Sequence, residues 1–254
     1  MIAMLESIGR LVLRLVEAAG EVTLLFVQTV SLLRNMKSWH VVQQMAHLGV
    51  NSLPIVLLTM LFTGMVMTVQ IAHEFIKYGV QSSVGGVIAV GMGRELAPVL
   101  TGVVVAGRVG AAITAEIGSM KVTEQIDALR VMATNPLAYL VAPRLTACVL
   151  MLPILVIFGD MIGIVGGHIM ATWYAGISSF SFIQSIKVFT VPNDIIGGLV
   201  KSMFFGAIIA VIGCYKGLTT EQGAEGVGRA TTSSVVTSII LIFISNYFLS
   251  LLLY

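Results

Sequence analysis

Arg94 and Glu95 stand side by side inside the apolar run 87–106. A guanidinium forks onto phosphate oxygens, and a carboxylate accepts hydrogen bonds from an ammonium. Ionisable groups in such a run are costly in hydrocarbon, and they mark either a ligand path or an interhelical ion pair. Neighbours in a helix do not face each other, so each of the two needs its own partner or a wet cavity. Lys201, in the run 195–214, has the charge to partner Glu95. Asp160, in the run 145–172, is a further intramembrane acid without an evident partner.

A second charge-bearing stretch lies between two apolar runs: "GRVGAAITAEIGSMKVTEQIDALRVMATNP", residues 107–136. Val122, Ile126, Leu129 and Ala133 are spaced four, three and four, which puts them on one face of a helix. Glu124, Asp127 and Arg130 lie on the other sides. Thr123 is suited to an N-cap, with Glu124 and Asp127 at the positive end of the dipole. Asn135-Pro136 closes the segment. The spacing predicts an amphipathic helix of about three turns over 123–133. Such a helix lies on headgroups or inserts its ridge into a groove on a partner. Its mixture of Glu, Gln, Asp and Arg favours the groove.

Other chemistries find no footing. There is no G-x-x-x-x-G-K-[ST] loop, and Gly91-Met92-Gly93 lacks the third glycine of a dinucleotide fingerprint. His40, His47, His73 and His168 share no metal-ligand spacing, and Cys148 and Cys214 sit singly in apolar runs. No Ser/His/Asp or Cys/His arrangement emerges, so no catalytic residue and no metal site is expected. Lys and Arg are scattered, which argues against nucleic acid. If transport is driven by a nucleotide, another subunit hydrolyses it.

The elements that must position these groups follow from composition. The chain is 57% hydrophobic and 10% charged, with a mean hydropathy of +1.00. Soluble domains carry about 25% charged residues, so the chain is an all-α integral membrane protein. Runs at 53–72, 87–106, 145–172, 195–214 and 233–253 are each long enough to span. Residues 1–38 carry Glu6, Arg10, Arg14, Glu17 and Glu21 at helical spacing and predict a helix lying in the interface. The alternative is a sixth span over 15–33. The run is broken by charge, which does not suit a cleaved signal peptide. Small residues recur every fourth position at Gly102, Ala106, Gly110, Thr114 and Gly118, and again at Gly159, Gly163, Gly167 and Ala171. That spacing lets helix backbones approach closely, and the first ladder could make a rigid lever toward the amphipathic helix. Ten Lys and Arg residues fall on the side of residue 1 and three on the other, so the N-terminus and the 107–144 loop are expected in the cytoplasm.

At "RELAPVLTGVVVAGRVGAAITAEIGSMKVTEQIDALRVMATNPLAYLVAPR" and "GAEGVGRATTSSVV" the sequence resembles the MlaE/YrbE permeases, membrane subunits of ABC-type lipid transporters that work with MCE-domain proteins. Ala97 stands where many members have Gly, and Asn246 where an acid is common. The resemblance implies one permease domain, 1–254, forming a homodimer in a bacterial inner membrane. It implies an N-terminal interfacial helix, five spans and a coupling helix whose residues Val122, Glu124, Ile126, Asp127, Leu129, Arg130 and Ala133 meet an ABC ATPase carrying the ATP and Mg. It implies a glycerophospholipid cavity near Arg94 and Glu95, with Tyr78 and Met67 close by, an MlaD-like MCE protein outside and a small STAS-like cytoplasmic subunit. An ion-coupled secondary transporter using Arg94, Glu95 and Asp160, or a non-transporting anchor for an MCE protein, are the competing readings.

Overall fold

A computed structural model describes residues 2–35, 38–221 and 223–254, without the side chains at 2–8, 10, 11, 14, 15 and 35. The described residues form helices and no strand: α1 (Ile2–Leu32), α2 (Ser38–Lys77), α3 (Gln81–Val122), α4 (Gln125–Val131), α5 (Leu137–Trp173), α6 (Ser179–Phe189), α7 (Pro192–Leu218) and α8 (Ala224–Leu253). Of these, α2, α3, α5, α7 and α8 are long and apolar enough to cross a membrane. The chain is therefore a multi-pass membrane protein.

The interval 15–33 is the second half of the longer α1 rather than a span of its own. Glu17 and Glu21 are exposed on it, while the side chains of Glu6, Arg10 and Arg14 lie outside the described residues. Val22 and Leu25 pack on the core, and Tyr215 of α7 donates a 2.7 Å hydrogen bond to Glu21 Oε2. Among the described residues an amphipathic helix is thus pinned to the bundle by an apolar contact line and a polar bond.

Prolines leave a mark on the spans. Pro54, Pro98 and Pro143 have no N–H to give, and each follows irregular turns: Met45–Ser52 in α2, the widened Met92–Leu96 in α3 and the widened Leu137–Val141 in α5. The helices continue through these turns. At roughly 1.5 Å per residue α3 is about 63 Å long, twice the hydrocarbon thickness, so it carries on well past the expected limit at 106.

Close approach is organised by glycine. A Cβ on Gly64 of α2 would run into the backbone of Gly163 of α5, and one on Gly167 would meet Thr68 Oγ1 at 2.7 Å. On the other side, Gly110 of α3 packs against Ile209 of α7, and Gly213 and Gly217 of α7 pack against Ile113 and Ile117 of α3. Thr114 hydrogen-bonds across this seam to the Gly213 carbonyl at 3.1 Å. Gly102 faces Phe205 and Ile242, and Ala106 is fully buried. The α7 glycines complete a two-sided ladder of which the sequence pattern in α3 is one half.

Helix α6 was not foreseen. Its eleven residues are too short to span, and its buried Phe182 and Ser185 seat it on Gly85 and Gly86 at the start of α3. Ser185 Oγ accepts the Gly86 N–H at 3.0 Å. His168 of α5 stacks edge-on against Phe182 with ring centres 5.3 Å apart, a packing role for that histidine.

Candidate functional site

The close crossing of α3 and α7 is made by Gly93 and Gly198: a Cβ at 198 would overlap the Gly93 carbonyl. Asp194 and Lys201 flank Gly198 on α7 and are two turns apart on one helix face. They meet the adjacent Arg94 and Glu95, one partner each. Arg94 donates from Nε and Nη2 to Asp194 Oδ1, both at 2.8 Å. Lys201 Nζ lies 2.7 Å from Glu95 Oε1. The two charges that cannot face each other along α3 are thus each answered from α7.

The surroundings complete the network. Lys201 Nζ also donates to the Arg94 carbonyl at 2.9 Å and to Ser250 Oγ at 2.8 Å. Pro98 has no N–H to give to the carbonyls of this widened turn, and the ammonium supplies a donor to one of them. Glu95 Oε2 accepts from Asn246 Nδ2 at 2.8 Å, and Ser250 Oγ lies 2.8 Å from Oε1. Asp194 Oδ2 accepts the Val191 N–H at 2.9 Å, which caps α7 with a carboxylate at the positive end of the helix. The Tyr254 ring stands between the cations, 4.6 Å from the Arg94 guanidinium carbon and 4.9 Å from Lys201 Nζ, and its hydroxyl donates to the Asp194 carbonyl at 3.1 Å. Two cations and two carboxylates make a cluster of zero net charge, the form in which ionic groups are tolerated inside a bundle.

On the α2 side of α3 runs an apolar groove of about 620 Å³, lined by Thr59, Phe62, Thr63, Val66, Met67 and Gln70 of α2 and by Leu96 of α3. Leu96 is the residue after Glu95, so α3 carries the groove on its α2 side and the charged cluster on its α7 and α8 side. Met67 is therefore placed in the groove. Tyr78 is exposed at the end of α2 and takes no part in the cluster's hydrogen bonds. Asp160 on α5 keeps one buried carboxylate oxygen without a partner.

The amphipathic segment departs from expectation. Thr123 is not an N-cap: α3 continues to Val122, and the Thr123 N–H still bonds back to Ser119 O at 3.0 Å. Glu124 adopts the left-handed φ of 58° and turns the chain, so α4 begins at Gln125. It ends at Val131, two turns rather than three. Ala133, at φ 55°, donates to Arg130 O while Thr134 donates to Leu129 O, a left-handed closure that stops the helix before Asn135-Pro136 is reached. Asn135 instead accepts the Leu137 N–H at the start of α5. Val122 and Ala133 therefore lie off α4. The ridge turns inward: Ile126 is fully buried in its own chain, and Leu129 packs on the core. Asp127 lies 2.9 Å from Arg130 Nη1 within α4 and 3.7 Å from Lys121 Nζ of α3. The large apolar residues left outward are Val131 and Met132.

Sequence reasoning found Arg94, Glu95 and Lys201 and missed Asp194, Ser250 and Tyr254. Asp194 did carry a signal, an acid seven residues before Lys201 on the same helix. Asn246 proves to be a donor to Glu95.

The permease MlaE family pattern matches residues 41–252. A probable ABC transporter permease protein of Synechocystis is 51% identical over 212 residues, covering 84% of this chain and 81% of that protein. One from Rickettsia felis is 41% identical over 247 residues, 96% of this chain and 95% of its own. The chloroplastic protein TRIGALACTOSYLDIACYLGLYCEROL 1 of Arabidopsis thaliana is 42% identical over 233 residues, 91% of this chain and 65% of that protein. Five apolar spanning helices and a match over most of the length agree, and the chain belongs to the MlaE permease family.

Proposed function

We propose that this chain is the membrane-spanning subunit of an ATP-driven transporter of glycerophospholipids in a bacterial inner membrane, with its N-terminus in the cytoplasm. The observation that carries the reading is a half-exposed guanidinium, anchored from behind by Asp194, on a helix that also walls an apolar groove. Arg94 offers a phosphate a polar port inside the bundle, and the groove along Met67 and Leu96 offers its acyl chains an apolar wall. The Synechocystis and Rickettsia relatives bear ABC permease names, and the Arabidopsis relative bears the name of a diacylglycerol lipid. The chain holds no phosphate-binding loop of its own, so an ABC ATPase supplies ATP and Mg chemistry and grips the α4 tip at Val131 and Met132. A second copy of the chain, an MCE-domain protein outside and a small STAS-like subunit inside complete the assembly.

The test is native mass spectrometry of the complex purified from its own membranes. An ATPase subunit and bound phospholipid should appear together, and Arg94→Ala should deplete the lipid while keeping the ATPase. Absence of an ATPase, or full lipid occupancy in Arg94→Ala, would overturn the reading.

A further inference from the structure

The two ion pairs of the cluster are turned in opposite directions. In one the cation is buried and the carboxylate half-open: the side chain of Lys201 is 0% exposed and that of Glu95 41%. In the other the carboxylate is buried and the cation half-open: Asp194 is 1% exposed and Arg94 38%. The cluster therefore presents outward one guanidinium and one carboxylate, from consecutive residues, each with its counter-charge fixed behind it. Both pairs border the same Tyr254 ring.

The buried members are spoken for. The three protons of Lys201 have Glu95, Ser250 and the Arg94 carbonyl. The outward members have capacity left. Arg94 places Nε and one Nη2 proton on Asp194, which leaves three of its five N–H donors. Glu95 Oε1 is met by Lys201 and Ser250, while Oε2 is met by Asn246 alone and keeps a lone pair.

We propose that this outward pair reads a zwitterionic headgroup: Arg94 takes the phosphate and Glu95 a primary ammonium, so the preferred cargo is an aminophospholipid. The inference rests on the phospholipid reading above and adds the class of headgroup. A headgroup without an amine satisfies Arg94 and leaves the open lone pair of Glu95 without a donor as water is displaced. A quaternary ammonium brings charge to Glu95 but no N–H. A site for purely anionic lipid would present Arg94 without a carboxylate beside it.

The test is competition binding on the complete transporter in nanodiscs. The displaced probe is acyl-labelled phosphatidylethanolamine. The competitors are phosphatidylethanolamine, its mono-, di- and trimethylated forms, and phosphatidylglycerol. Phosphatidylethanolamine should compete roughly tenfold better than phosphatidylglycerol, the worth of one charge-assisted hydrogen bond. Affinity should fall with each N-methyl group that removes a donor. In Glu95→Gln the advantage should collapse to less than about threefold. Equal competition by all headgroups in the wild-type protein, or preference for phosphatidylglycerol, overturns the proposal even if Glu95→Gln cannot be purified. Loss of all lipid binding in Arg94→Ala with equal competition in the wild type leaves the phospholipid reading standing and sinks only the headgroup assignment. Unchanged binding in Arg94→Ala removes the site itself.

Discussion

Lys201 is the most constrained residue of the cluster, since it is fully buried and each of its protons has an acceptor. Removing Glu95 strands that ammonium, whereas removing Lys201 leaves a half-open carboxylate still held by Asn246 and Ser250. Glu95→Ala should therefore cost about 3–5 kcal/mol and Lys201→Met less. The double variant should recover on the order of 1–3 kcal/mol of the summed loss. Thermal unfolding of the four proteins in one detergent checks this, and simple additivity would deny that the pair acts as a unit. The residues legible in sequence were those whose charge is out of place in a span: Arg94, Glu95 and Lys201. Asp194 was hidden because an acid in the first turn of a helix reads as ordinary capping. Ser250 and Tyr254 were hidden because neutral polar groups in an apolar helix announce nothing until a neighbour is known.

At the level of elements, periodicity located the amphipathic segment and misjudged what its ridge meets. A ridge of Val122, Ile126, Leu129 and Ala133 presupposes one unbroken helix, and left-handed backbone at Glu124 and Ala133 cuts it at both ends. Neither is glycine, so no sequence signal marked the breaks. What remains is a short helix held down by Ile126 with Val131 and Met132 outward. Val131→Asp combined with Met132→Asp should alter stability by no more than about 1 kcal/mol, about 0.5 per surface site, and abolish capture of the ATPase. Ile126→Asp should lower the amount of folded protein instead, because a carboxylate without a partner is buried there at a cost of several kcal/mol. Pull-down beside size-exclusion profiles separates the two effects, and retained ATPase in the double variant would move the grip elsewhere. The small-residue ladders were legible as half of each seam. Their partners, Gly64 on α2 and Gly213 and Gly217 on α7, emerge only when the helices are set against each other.

For the whole molecule, hydropathy sufficed for five spans because nothing but a helix satisfies its backbone in hydrocarbon. Hydropathy marks the apolar run 87–106, and the helix α3 continues beyond it at both ends, since a charged helix leaving the bilayer need not unwind. The excess of Lys and Arg predicts Gln125 inside and Gln81 and Ser179 outside. All three are exposed, and the native thiols Cys148 and Cys214 are buried, so single cysteines introduced at these positions report cleanly. Cysteine at 81 or 179 should react with an impermeant maleimide on intact cells, and cysteine at 125 only after permeabilisation. The reverse pattern would invert the molecule and remove α4 from the reach of a cytoplasmic ATPase.

The ammonium that supplies a donor to the widened turn at Pro98 ties two distant positions into one unit of inheritance. A lineage that loses Lys201 alone leaves the Arg94 carbonyl open inside the bundle, while one that also replaces Pro98 closes the turn with its own backbone. Proline at 98 and lysine at 201 should accordingly be gained and lost together across descendants of this chain, although they stand 103 positions apart in the sequence.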